Sequence, residues 1–215
     1  MIDFKMNFDF GLNNFGKQAA KYKEIDICGL VEKMKSKKRC FFKIENETGQ
    51  LAALVKEPPK PNECFKMLSV GGGFSSIAII QYIAAREGIE EMFVSTFRIG
   101  KNHFKVLNTL HAQGKLKTAH LITSGTQART DQQIKYKGKT YNYFDAISRQ
   151  SEKNGWTLKV FDNHSKLLLL QTPKNWYVIE TSSNLNENPK MEQFSWENDA
   201  ALFDWYKKLF VELLK

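Results

Sequence analysis

Long apolar runs are missing from these 215 residues, because charges interrupt every hydrophobic stretch well short of the ~20 residues a membrane span needs. Cysteine is scarce and unpatterned. Cys28, Cys40 and Cys64 are odd in number and lack C-x-x-C spacing, so neither a disulfide framework nor a zinc ribbon is expected. Free thiols in a reducing cytoplasm are the plain reading. Histidine is scarce too. His103, His111 and His120 each lack a second ligand-type residue at metal spacing and read as structural, so no metal and no cofactor is expected. Residues 1–10 carry Asp3 and Asp9 and lack the apolar core and cleavage site of a signal peptide. No internal repeat is present. Acidic residues are outnumbered, with 32 Lys and Arg against 23 Asp and Glu, a formal charge of +9. Such an excess favours a polyanionic partner, nucleic acid before anionic membrane. No amphipathic membrane-inserting helix is evident, and no membrane partner is expected.

Proline is also sparse, and three of the five fall in Glu57-Pro58-Pro59-Lys60-Pro61. No regular element crosses such a stretch. It divides the chain into an N-terminal segment, 1–60, and a main domain, 61–215. In the first, residues 1–10 alternate apolar and polar as an edge strand does. The basic run from Lys33 to Arg39 is a solvated loop or a phosphate contact. Residues 40–44 and 51–55 flank Asn46-Glu47-Thr48-Gly49 and predict a hairpin.

In the main domain, strand patterns at 65–70, 91–97, 117–123 and 156–161 alternate with helix patterns at 76–87, 101–113 and 141–154, and a last helix covers 198–215. The alternation predicts an α/β fold, a mixed but mostly parallel sheet flanked by helices. Gly71-Gly72-Gly73 after the first strand fits a tight turn, or a loop lining a cleft, but is neither a G-x-G-x-x-G nor a P-loop pattern. Ligands of such sheets gather beyond the carboxyl ends of strands. Arg98 lies at one such end, as a phosphate clamp or as an ordinary ion-pairing residue. Residues 126–140 interleave lysines with tyrosines, which suits single-stranded nucleic acid or a flexible loop.

One constellation carries chemistry. His164-Ser165-Lys166 opens the run Leu167-Leu168-Leu169-Leu170-Gln171. Thr172-Pro173-Lys174-Asn175 makes a turn, and a second apolar run, residues 176–179, ends in Thr181-Ser182-Ser183-Asn184. Two such runs joined by a turn read as a hairpin, which brings the start of one strand beside the end of the other. His164, Lys166, Ser182, Ser183 and Asn184 thereby meet, and Glu192 follows. A neutral imidazole is a nucleophile, and an ammonium and an amide are donors for the charge that develops on a phosphodiester. Taken singly, His164 also reads as a strand-end surface residue and Lys166 as a solvated edge lysine.

This set resembles the phospholipase D superfamily, whose motif is H-x-K-x4-D followed by G-S-x-N and a further acidic residue. Here Gln171 stands in place of the Asp, Thr181 in place of the Gly, and the two halves lie a few residues further apart. The resemblance covers roughly residues 64–215. It implies a phospholipase D-like fold and a histidine-nucleophile phosphodiesterase, most simply a nuclease. In that role His164, Lys166, Asn184 and Glu192 are catalytic, Ser182 and Ser183 contact substrate, and Glu192 fixes the tautomer of His164; Arg98, outside the motif, is a further expected substrate contact from its place at a strand end. The family uses two facing histidines. This chain holds one copy of the motif, so the resemblance implies a cytoplasmic homodimer with the site on the two-fold axis. Two rival expectations are a catalytically degenerate nucleic-acid-binding module of the same fold and a lipid head-group phosphodiesterase.

Overall fold

The computed structural model describes residues 33–35, 39–45, 51–70, 74–130, 133–136, 139–186 and 191–215. The stretches read above at residues 1–10, 46–49 and 71–73 lie outside them. The elements in chain order are β1 (Lys33–Lys35), β2 (Arg39–Glu45), α1 (Leu51–Leu54), β3 (Cys64–Val70), α2 (Ser76–Arg86), β4 (Ile89–Ser95), α3 (Lys101–Ala112) and β5 (Leu116–Ser124). There follow α4 (Gly125–Thr130), β6 (Gln133–Tyr136), β7 (Lys139–Asn142), α5 (Tyr143–Lys153), β8 (Thr157–Phe161), β9 (Leu167–Gln171), β10 (Trp176–Thr181), β11 (Glu192–Asn198) and α6 (Ala200–Leu214). Nine strands form one sheet in the order β1-β2-β3-β11-β10-β9-β4-β5-β8, and β6 pairs with β7 separately.

The fold is mixed α/β, as expected, but the sheet is mostly antiparallel. Five of its eight neighbouring pairs run antiparallel. The reason is topological. Strand–helix alternation does make β3, β4, β5 and β8 run the same way. The later meander β9-β10-β11 then inserts between β3 and β4, and each of its contacts is antiparallel. A second correction concerns residues 51–55. Leu51–Leu54 is a helical turn, not a strand. β2 instead pairs with β1 on one side and in parallel with β3 on the other.

The leucine run explains itself by burial on both faces. Leu168 and Leu170 lie in a core with residues of α2, α3 and α5, including Ile80, Leu107 and Ile147. Leu167 and Leu169 lie in a second core with Phe203 and Phe210 of α6. A strand covered on both sides needs no polar alternation. Burying each such side chain is worth about 1.5–3 kcal/mol, so this strand is a rigid base for whatever stands at its ends.

Candidate active site

The directions of the strands bring the ends of β3, β4, β5, β8 and β10 and the starts of β9 and β11 to one edge of the sheet. The β9–β10 and β10–β11 ladders both continue one step past the strands. The Thr181 N–H donates to the Lys166 carbonyl at 3.2 Å, and the Ser182 N–H donates to the Gln193 carbonyl at 3.1 Å. Lys166 and Ser182 therefore lie at the same edge, and Glu192, next to Gln193, opens β11 there and pairs with Ser69 of β3. On the other side, the β4–β9 register ends at Ser95 beside Leu167, and Arg98 lies three residues past that end. The hairpin therefore does bring the first and second halves of the motif to one edge.

His164 is exposed and locally built. The Asn163 side-chain carbonyl accepts from the Ser165 N–H at 2.9 Å, a turn that spans His164. The Asn163 amide donates to Ser95 Oγ at 2.9 Å and to the Thr96 carbonyl at 3.2 Å, which bolts the turn to the end of β4. The ring of Phe97 lies 5.1 Å from the His164 ring, centroid to centroid. Half-buried Lys166 donates to His164 Nδ1 at 3.2 Å and to the His164 carbonyl at 2.7 Å. An ammonium has no lone pair, so the imidazole accepts at Nδ1 and carries its proton on Nε2.

The second half of the motif is held as tightly. Glu192 is 7% exposed, and its carboxylate accepts from the Ser182 hydroxyl. Ser182 Oγ accepts in turn from the Gln193 N–H at 3.0 Å. Ser183 is buried, its hydroxyl donating to the Asn184 carbonyl at 3.1 Å and its own carbonyl accepting from Ser76 Oγ at the start of α2, 3.2 Å away. Asn184 is half-buried, and its Oδ1 has no partner among the described residues. Leu185 pins this loop to the end of β4, through its N–H to Thr96 Oγ1 at 3.0 Å and its carbonyl to the Gly100 N–H at 2.7 Å. Gly100 is required there, because a Cβ would stand 2.9 Å from Asn186 Cβ.

Gln171 lies at the opposite end of β9, five residues beyond Lys166, roughly 17 Å along an extended strand. The turn there is held by other groups. The Glu87 carboxylate accepts from the Thr172 hydroxyl at 2.7 Å, the Asn175 amide at 2.8 Å and the Tyr177 hydroxyl at 2.7 Å. Burial first and then this carboxylate push the Tyr177 hydroxyl well above the usual tyrosine range.

No family model and no curated protein matches the chain in sequence. Solved structures similar to it include polyphosphate kinase from Porphyromonas gingivalis, at 14% identity and a TM-score of 0.48 over 69% of this chain and 26% of that one. Nuc from Salmonella typhimurium, described as a phospholipase D family member, is 12% identical, with a TM-score of 0.48 over 70% of this chain and 93% of that one. TrmBL2, an archaeal chromatin protein described as having a novel mode of DNA binding, is 14% identical, with a TM-score of 0.43 over 69% of this chain and 51% of that one. These likenesses are of the fold, and what the sheet edge can do rests on its own residues. Sequence reasoning missed Asn163, Ser165 and Phe97, which build the surroundings of His164. An Asn two residues before a Ser was the one local signal, since that spacing favours a side-chain turn.

Proposed function

We propose that the chain is a phosphodiesterase acting on nucleic acid, with His164 as nucleophile. One observation carries this reading. The Thr181–Lys166 backbone bond joins the end of β10 to the start of β9, where Lys166 bonds His164, and beside it Ser182 bonds Glu192. The charge of +9 supports a polyanionic substrate.

A substrate phosphate is a stronger acceptor than an imidazole and draws Lys166 off Nδ1. The ring can then change tautomer, with the proton on Nδ1 and the lone pair on Nε2 free to attack. Glu192 is the carboxylate for that Nδ1 proton. It opens β11, two strands from β9 in the sheet, and would leave the Ser182 hydroxyl to take that proton. Attack forms a nitrogen–phosphorus bond and breaks the bond from phosphorus to the leaving oxygen. Lys166, the Asn184 amide and Arg98 stabilise the non-bridging oxygens. The leaving oxygen takes a proton from His164 of a second copy in its imidazolium form, and water, giving a proton back to that ring, then hydrolyses the phosphohistidine. A homodimer is part of this proposal, and sedimentation of a monomer at micromolar concentration would remove it.

The experiment is to quench the reaction with a labelled oligonucleotide and search the peptides for a phosphoryl adduct. An adduct on His164 supports the reading. Turnover with the adduct elsewhere contradicts it. The second reading, a binding module that has lost catalysis, is favoured by the hydrogen bond that occupies His164 Nδ1. Tight binding of the oligonucleotide with neither adduct nor cleavage would establish it.

A further inference from the structure

Residues 96–100, between β4 and α3, meet the candidate site twice. Phe97 flanks the His164 ring, and Thr96 with Gly100 holds Leu185, next to Asn184. On its outer side β5 still reaches Thr96, whose N–H donates to the Ile122 carbonyl at 3.0 Å, but among the described residues no strand pairs with Ile99 there. Gln127, from α4 and 0% exposed, takes that place. Its Oε1 accepts from the Ile99 N–H at 2.8 Å, and its Nε2 donates to the Ile99 carbonyl at 2.8 Å. The amide thus meets both backbone groups of one residue, as a neighbouring strand does. The Thr123 hydroxyl adds a third bond, donating to Gln127 Oε1 at 2.7 Å. Ser124 Oγ completes the support, donating to the Phe97 carbonyl at 2.7 Å and accepting from the Gln127 N–H at 3.1 Å.

The geometry points to Gln127 as a positioning residue of the site: it fixes the segment that sets Phe97 against His164 and carries Arg98. Only an amide of this length offers an acceptor and a donor to Ile99 together. A carboxylate cannot donate, and an apolar side chain of equal volume does neither. What Gln127 positions the residues for rests on the phosphodiesterase reading, but the positioning itself does not.

The test is Gln127→Met in the full chain, which keeps volume and removes the side-chain hydrogen bonds. Three readouts are compared: thermal melting, the NMR ring signals of His164 assigned with His164→Gln, and kcat and KM on an oligonucleotide. The expected result is a shift of the His164 ring signals with those of His111 unmoved. With it kcat falls by about 10–100-fold, more than KM rises, as displacement of a reacting group by an ångström does. Thr123→Val, which removes one donor, shifts the same signals in the same direction by less, and it is the variant read if Gln127→Met does not fold. His164 signals that coincide with wild type in a folded variant overturn the proposal. Wild type that never cleaves sinks the phosphodiesterase reading alone, because the ring signals still decide whether Gln127 positions His164.

Discussion

Lys166 Nζ stands 3.2 Å from His164 Nδ1 and 2.7 Å from the carbonyl oxygen of the same histidine. The lysine therefore occupies Nδ1 of the ring. Lys166→Ala removes this hydrogen bond and, in the proposed mechanism, a donor to the transition state. Loss of one such donor costs ~10²–10³ in rate, so kcat/KM should fall by about that factor although His164 is more open. Steady-state kinetics checks it. A variant as active as wild type would mean that Lys166 does not touch the reacting phosphate.

Gly100→Ala tests how closely the Asn184 loop is packed. The new methyl would lie 2.9 Å from Asn186 Cβ and 3.1 Å from its backbone Cα. The backbone of Gly100 has an ordinary negative φ of −79°, so the cost is overlap alone. About 1–3 kcal/mol of stability should be lost. Denaturant titration measures this, and activity should fall with it because Asn184 moves.

Gln171→Asp restores the residue typical of the phospholipase D motif, yet it should not raise activity. Gln171 pairs directly with Glu91 across β4 and β9. Glu91 already receives Lys207 at 2.5 Å and His120 at 3.3 Å. A carboxylate at 171 would face another one on the neighbouring strand, which costs up to about 1 kcal/mol. Unchanged cleavage with slightly lower stability is the expected outcome. A large gain in activity would show that the far end of β9 takes part in the chemistry.

α6 should loosen in alkali. Burial, and then the Glu180 carboxylate that accepts its hydroxyl, push Tyr206 up to about 12 from 10.0. A raised value favours the neutral phenol in the folded chain. Its contribution is full below pH 10 and is lost as pH rises through 12. Tyr177 and Tyr82 are raised as well and act in the same direction. Melting temperature followed from pH 9 to about 12 should therefore fall, and less steeply in Tyr206→Phe. An equally steep fall in that variant would remove Tyr206 as a cause.

The β9–β10 hairpin was legible because its signals are local. Leu167 to Leu170, the turn at Thr172 to Asn175 and the run from Trp176 lie within a short stretch, and the nearness of Lys166 to Thr181 follows from that pairing. The place of β11 was not legible. Phe194 and Trp196 alternate with polar neighbours as a strand should, but nothing local says that this strand lies between β10 and β3. That insertion turned an expected parallel sheet into a mostly antiparallel one. Gln127 was hidden for the same reason, since its partner Ile99 is 28 residues away. Residues 51–54 misled because leucine and alanine serve a buried helical turn as readily as a strand.

The proposed phosphodiesterase depends on His164 as its nucleophile. The most direct measurement is cleavage of a labelled oligonucleotide by wild type and His164→Ala, purified in parallel. The ring is exposed and contributes little to either core, so the variant should fold and melt like wild type. Turnover should disappear from it while oligonucleotide binding stays nearly intact. Equal cleavage by the two proteins would place the activity elsewhere and contradict the assignment.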